Sequence, residues 1–205
     1  SRNINEISIP SNIKIISSYS FDNCENLTKV KIPTNSKLET IESYAFSSSN
    51  INEISIPSNV SKICESAFDD CENLTKIEIP TNSKLQTIEE NAFSYSNIKE
   101  IYFPTSLKEL KEGWCDGTKQ LTNIIISPSN KQFIFKDNKY LLGKSDENND
   151  EFDILLFASR NINEISIPSN IKIISSSSFE NCKNLTKIEI PPDSKLQTIE
   201  KYAFS

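Results

Sequence analysis

Residues 73–94 read NLTKIEIPTNSKLQTIEENAFS, and with small changes this stretch recurs along the whole chain. Leu74, Ile77 and Ile79 are apolar while Lys76 and Glu78 flank Ile77 with charge, the two-residue alternation of a half-buried strand. Pro80 follows at once; a proline cannot donate to a ladder, so the strand is expected to end there, with Thr81–Ser83 as turn formers. Leu85 and Ile88 return an apolar side to the interior, and Glu89–Ala92 are predicted to make a brief helical turn that carries Phe93 inward. A unit this short cannot bury such a face alone, whereas stacked copies bury one continuous core.

Aligned on the opening residue, units begin at Asn3, Asn26, Asn50, Asn73, Asn97, Gln120, Asn161 and Asn184, at spacings of 23, 24, 23, 24, 23, 41 and 23. Shorter and longer units alternate, so the true period is the pair, 47 residues. Three apolar columns keep register: Ile4, Leu27, Ile51, Leu74 and Ile98; Ile7, Val30, Ile54, Ile77 and Ile101; Ile9, Ile32, Ile56, Ile79 and Phe103. A second spine runs through Phe21, Phe46, Phe68, Phe93, Phe179 and Phe204, whose rings should lie one coil apart, about 5 Å. The chain is therefore expected to be a single solenoid over 1–205, with regular units at 3–119 and 161–205, an irregular unit at 120–160, and a longer protein of which it is a piece. Within the irregular unit, Phe133–Phe135, Tyr140–Leu142 and Phe152–Phe157 are predicted as strands, two or three of them forming an antiparallel excursion with Asp146–Glu151 at its tip.

The exposed position before the middle column reads Glu6, Lys29, Glu53, Lys76, Glu100, Asn123, Glu164 and Lys187. Opposite charges so placed on neighbouring parallel strands can meet a partner one strand spacing, about 4.8 Å, away, a solvated ladder rather than a ligand site. A formal net charge of −6, with lysines dispersed among glutamates, leaves no basic patch for nucleic acid or anionic lipid. The longest apolar run, Ile154–Ala158, is far too short to span a bilayer.

With the columns in place the sequence resembles the BspA-type, or Treponema pallidum-type, leucine-rich repeat family. The resemblance is carried by LTKIEIP (Leu74–Pro80), IPSNVSKICESAFDDC (Ile56–Cys71) and SSFENC (Ser177–Cys182), and the irregular unit is similar to a variant in which a small excursion follows I-x-x-x-N. The alternating SKLxTI units and the Asn, Lys and Ile bias are most similar to the expanded family of protozoan parasites. The resemblance implies an α/β leucine-rich repeat solenoid, mostly β and right-handed, with a parallel sheet on one face and short helical turns and loops on the other. It also implies cell-surface or secreted display and adhesion to host cells or extracellular matrix through a protein or glycan ligand. A structural spacer and an intracellular interaction scaffold are the alternatives.

Several residues stand out as candidates. Cys24, Cys71 and Cys182 share one column that in the family is a buried thiol; Cys24 and Cys71 stand two coils apart, about 9.6 Å, too far for a disulfide. With no histidine, no CxxC and an odd total of five cysteines, neither a zinc site nor a full set of bridges is indicated. Asn26, Asn59, Asn73 and Asn184 open glycosylation sequons; the repeat-opening three are expected to bond backbone in the coil turns, leaving Asn59 as the candidate acceptor. Asp146, Asn148 and Asp150 echo a calcium loop, but Glu151 and Phe157 stand where it needs Gly and Glu, so an acidic hairpin tip is the better reading. No phosphate loop, G-x-S-x-G or converging carboxylates point to an enzyme, and no cofactor is indicated.

The sheet face itself departs from its pattern at Tyr102 and Ile125, adjacent exposed positions where other units carry Ser, Lys or Glu. Nearby, Trp114 and Cys115 replace the usual Ala-Phe. Exposed apolar neighbours on such a face are candidate ligand-binding residues; alternatively, Tyr102 and Ile125 pack under the excursion and Trp114 fills the place of the missing Phe. Because neither outer unit shows a polar cap, open strand edges at both ends are expected to favour end-to-end self-association.

Overall fold

The computed structural model describes residues 3–205, and among them each regular coil carries two strands. The first five coils hold β1 (Glu6–Ser8) and β2 (Ile15–Ile16), β3 (Lys29–Lys31) and β4 (Thr40–Ile41), β5 (Glu53–Ser55) and β6 (Lys62–Ile63), β7 (Lys76–Glu78) and β8 (Thr87–Ile88), and β9 (Glu100–Phe103) and β10 (Glu109–Leu110). The sixth opens with β11 (Asn123–Ile126) and departs through β12 (Phe133–Lys136), β13 (Tyr140–Gly143) and β14 (Ile154–Ala158). The last two coils hold β15 (Glu164–Ser166) and β16 (Ile173–Ile174), then β17 (Lys187–Glu189) and β18 (Thr198–Ile199).

The odd strands of the regular coils pair in parallel as β1-β3-β5-β7, β9-β11 and β15-β17, and Ile7, Val30 and their column mates align as the repeat register requires. The even strands make a second parallel row, β2-β4-β6-β8-β10, on another side of the coil. Leu85 and Ile88, the apolar pair behind Pro80, are fully buried, and Ile88 belongs to this second row.

The helical turns expected beyond the second row are absent: no helix occurs among the described residues. A residue in the left-handed region stands just before each Ala-Phe, at Tyr44 (φ 57°), Ser66 (φ 51°) and Asn91 (φ 54°), and another four residues on, at Ser48, Asp70 and Tyr95. An α-helix needs every φ near −63°, whereas a positive φ at the third residue of a tight turn lets alternate peptides point outward. Ala45, Ala67 and Ala92 then close turns onto Glu42, Cys64 and Glu89, while Phe46 and Phe68 donate to Ala67 O and Ala92 O of the next coil, both at 2.9 Å. The N–H groups that a helix would use within itself are spent between coils. In the fifth coil both left-handed positions are glycine, Gly113 (φ 68°) and Gly117 (φ 70°).

The aromatic spine forms as the spacing predicts. Phe21, Phe46, Phe68 and Phe93 stack at 5.1, 5.4 and 5.4 Å, and Phe179 stacks on Phe204 at 5.0 Å. The buried side chains fall into two clusters, one reaching from the first coil to Phe157 and one from Tyr140 to Ala203.

The excursion has three strands. β12 and β13 are antiparallel, as are β13 and β14, but β14 rejoins the solenoid by pairing in parallel with β16. Its tip is a turn closed on itself: Asn149 N–H donates to Asp146 O and Asn148 N–H to Asp146 Oδ1. The tip is held to the body by Asp153, whose side chain is fully buried and bonds Lys172 Nζ at 2.9 Å and Ser145 Oγ at 2.7 Å. Burial alone would raise this carboxyl, but the Lys172 ammonium and the Ser145 donors outweigh it and hold its pKa below the usual range.

Candidate binding surface

Alternation along the odd strands sends every second side chain outward. On β9 these are Glu100 and Tyr102, on β11 Asn123 and Ile125, while Ile101, Phe103 and Ile124 are buried beneath them. The register sets Tyr102 directly opposite Ile125 and Glu100 opposite Asn123, whose amide donates to Glu100 Oε2 at 2.5 Å. Ile125 is 44% exposed and Tyr102 half-buried against the core, so the pair presents an apolar surface on a face otherwise polar.

The rest of that face is a charge lattice. Lys29 aligns with Glu6 and with Glu53, Glu53 with Lys76, and Glu164 with Lys187, the cross-strand order expected from the sequence. The shortest ion pairs nevertheless run elsewhere. Lys76 meets Glu78 and Lys187 meets Glu189 at 2.5 Å, two residues along the same strand, and Lys31 reaches diagonally to Glu6. Residues two apart on a strand share a face, so a long Lys side chain closes on its own strand as easily as on the next. Bonds from Lys76 and Ser55 hold the Glu78 carboxyl below its ordinary range, and the bond from Lys31 does the same for Glu6. Two shallow grooves adjoin on this side. One, about 570 Å³, runs over Ser8, Lys31, Ser55 and Lys76; the other, about 460 Å³, lies along the stacked Ile32-Pro33, Ile56-Pro57 and Ile79-Pro80 turns.

Trp114 is not brought to this surface. It is buried, edge-on to Phe103 at 5.6 Å and tilted against Phe157 at 6.3 Å, on the far side of the core from the outward face of Tyr102. Its place in the coil is that of Ala67 and Ala92, its carbonyl accepting from Phe93 N–H at 2.9 Å, while Cys115 stands in the Phe column; Trp114 forms part of a cleft of about 200 Å³ between Leu110–Asp116 and Ser175–Ser177. Asn59 Nδ2 donates to Ser36 O at 3.0 Å and Asn59 Oδ1 accepts from Lys84 at 2.9 Å, so both ends of its amide already serve the coil. Of the repeat-opening asparagines, Asn50 and Asn97 donate to Glu25 O and Glu72 O, the carbonyls just before Asn26 and Asn73, whereas Asn73, expected to bond backbone, donates to the Asn50 side chain, at Oδ1, at 3.1 Å. All five cysteines are free; Cys71 and Cys182 aim their thiols at carbonyls of the coil before, Phe46 O and Ser159 O. Burial pushes the Cys71 and Cys115 thiols up to about 12.

The seam where the solenoid resumes had no counterpart in the sequence reading. Residues 159–176 repeat residues 1–18 letter for letter, yet the later copy is docked on the excursion side. Gly117 N–H donates to Glu180 Oε2 at 2.7 Å, Ser177 Oγ to Asp116 Oδ2 at 3.1 Å, and Lys201 pairs with Glu112 at 3.1 Å. The matching residues of the first two coils are Asp22, Tyr19 and Ser43, three of the few places where the copies differ. Arg160 is buried in this seam, its guanidinium 4.6 Å from the centre of the Phe157 ring. The signals were present as those substitutions and as charged residues beside apolar strands, at Asp153 and Arg160.

The parallel rows of short strands, the stacked spine and the repeat register define a leucine-rich repeat solenoid. The BspA-type leucine-rich repeat region model matches residues 1–122 and 150–205, and the chain belongs to that family. Among curated proteins, none matches the sequence. Among solved structures, the pneumococcal vaccine antigen PcpA is similar at 28% identity and a TM-score of 0.89 over 98% of this chain, which spans 48% of PcpA. A leucine-rich cell surface protein from Faecalibacterium prausnitzii (21% identity, TM-score 0.71, 96% of this chain and 60% of that one) shares the fold. So does a leucine-rich repeat protein from Eubacterium ventriosum (21%, 0.73, 98% and 58%). The chain thus spans about half the length of the first of these. Family and fold are those of repeat scaffolds. No helix among the described residues is long and apolar enough to cross a membrane.

Proposed function

We propose that this chain is a segment of a non-enzymatic, surface-displayed binding protein that takes a protein partner on the face formed by β1, β3, β5, β7, β9 and β11. The observation that carries the reading is the outward-facing pair of half-buried Tyr102 and exposed Ile125, an apolar break in a face otherwise covered by Lys, Glu and Ser. An apolar anchor inside a polar rim is the arrangement that concentrates binding energy, while paired charges around it exclude water and set register. The similarity to structures of a cell surface protein and a vaccine antigen supports display at a surface. Adhesion to host cells or matrix follows from the family resemblance, which in its SKLxTI units points to protozoan surface proteins.

The test is binding of the chain to intact host cells and to immobilised matrix proteins, beside a Tyr102→Ser/Ile125→Ser double variant with unchanged circular dichroism. Saturable binding by the parent, reduced at least tenfold in the variant, is expected. Equal binding by both would move the site off this face, and saturation removed by deglycosylating the target would replace the protein partner with a glycan. Binding by neither would overturn the adhesive reading for this segment.

A further inference from the structure

The first row of strands is broken inside the chain between β11 and β15: they do not pair, although β7 and β9, likewise in separate sheets, still lie side by side. At a regular junction Asn52 N–H bonds Thr28 O at 3.2 Å and Ile56 N–H bonds Glu78 O at 2.8 Å. The same bonds across this junction would join Asn163 to Thr122 and Ile126 to Ser166. Instead Thr122 O accepts from Ser159 Oγ at 2.8 Å, and Lys139 Nζ reaches Glu164 O at 3.5 Å. The excursion enters and leaves at this break. β12 lies beside β11, Phe133 stands edge-on to Phe103 at 5.8 Å, and Lys139 O accepts from Ser159 N–H at 2.7 Å.

β12 is the outer strand of its sheet, and among the described residues no strand pairs with its other edge. Lys136 O accepts from Lys139 N–H at 2.9 Å inside the hairpin. Alternation therefore turns the backbone groups of Ile134 and Lys136 toward β13 and those of Phe133 and Phe135 away from it. Phe133 N–H is capped by Asn130 Oδ1 at 3.0 Å, which leaves the N–H and C=O of Phe135 at the open edge. Beside it Ile134 is 40% exposed and Lys136 fully in solvent.

Charge marks the same edge. Residues 131–139 read KQFIFKDNK, three lysines against one aspartate in a chain of net charge −6. Elsewhere on the face Lys31, Lys76 and Lys187 are closed on carboxylates, whereas no ion pair among the described residues takes up the exposed Lys131 or Lys136. Lysine on an edge strand repels strands of like charge. The same side chains attract an acidic one.

We propose that the outer edge of β12 is a strand-addition site for an extended acidic segment of the partner, whose main chain pairs with Phe135 and whose carboxylates meet Lys131 and Lys136. In this mode main-chain bonds supply affinity and side chains choose the partner. The site rests on the binding face proposed above, which it adjoins at β11, and gives the chemistry of what binds there.

The probe is a synthetic peptide alternating Glu and Val, titrated into the chain while amide exchange is followed by nuclear magnetic resonance. Exchange at Phe135 N–H should slow at least tenfold at saturation, while Ile134 N–H, already turned to β13, should not change. Lys131→Glu/Lys136→Glu, with circular dichroism identical to the parent, should weaken binding at least tenfold. A peptide with Lys in place of Glu should not bind, nor should the Glu peptide N-methylated throughout, which keeps its charge but cannot donate. No binding by the Glu peptide, binding by its N-methylated form, unchanged exchange at Phe135, or full binding by the lysine variant would overturn the proposal. Peptide binding is read at Phe135 on the purified chain, so it can fail while cell binding through Tyr102 and Ile125 stands, and the reverse.

Discussion

Replacing Phe68 by Ala tests whether the stacked spine holds the coils together. Phe68 is fully buried and lies between Phe46 and Phe93, with ring centroids 5.4 Å away on each side and planes within 6° of parallel. Truncating a buried Phe costs about 3–5 kcal/mol, and each offset-stacked pair accounts for ~0.5–1.5 kcal/mol beyond the area lost. Phe204 in the same column is 46% exposed and has one stacked neighbour, Phe179 at 5.0 Å. With half the burial and half the stacking, Phe204→Ala should cost about 1–2 kcal/mol. Urea unfolding followed by the fluorescence of Trp114, the chain's one tryptophan, measures both. Coupling in a repeat stack passes between neighbours, so amide exchange in Phe68→Ala should quicken first at Phe46 and Phe68, whose N–H groups bridge coils. Equal losses for the two variants, or a loss below about 1 kcal/mol for Phe68→Ala, would refute the argument that the column is the principal tie between coils.

Further outcomes are expected from single sites. Gly117→Ala should destabilise by about 1–3 kcal/mol, because its φ of 70° is left-handed and an added Cβ would stand 2.4 Å from the Tyr95 ring; a Tyr95→Ser background should recover only the steric part in thermal unfolding. Asp69 is pushed up to about 6 by burial and by Asp70, so its contribution to stability is fully present below the ordinary carboxylate range and lost as pH rises through 6. Asp69→Asn should therefore raise the melting temperature at pH 7.5, by an amount worth ~1–3 kcal/mol, and leave it unchanged near pH 4; a pH-independent effect would count against it. Asp153 runs the other way: its depressed pKa gives stability that is complete above the ordinary range and fades as pH falls through the folded value. Protection of the Ser145 amide from exchange should be lost in acid, and at all pH values in Asp153→Ala. Native protein at pH 8 should react with a thiol reagent at the half-buried Cys24 well before the buried Cys71 and Cys115, which should label only on unfolding.

What the chain states by itself is whatever depends on periodicity. Alternating Leu74, Ile77 and Ile79, the proline that stops the strand and the 47-residue pair dictate parallel strands in register, because stacked copies bury equivalent side chains on one another. The adjacency of Tyr102 and Ile125 followed from that register alone, as did the aromatic spine. The turns after the second row were not legible in the same way. SYAFS and SAFDD have helical composition, and only the neighbouring coil, offering Ala67 O and Ala92 O to Phe46 and Phe68, makes a left-handed residue at Tyr44 and Ser66 worth its local cost. The charge ladder was read in the right register, but side chains as long as Lys choose among several carboxylates, and Lys76 closed on its own strand. Tertiary structure decided the seam most completely. Residues 1–18 and 159–176 are identical, yet the second copy carries Arg160 over the Phe157 ring of the excursion and leads into Ser177, which bonds Asp116 of the fifth coil. A repeat determines how a coil meets another of its kind, and a contact made where the repeat is broken has no partner in the sequence from which it could be inferred.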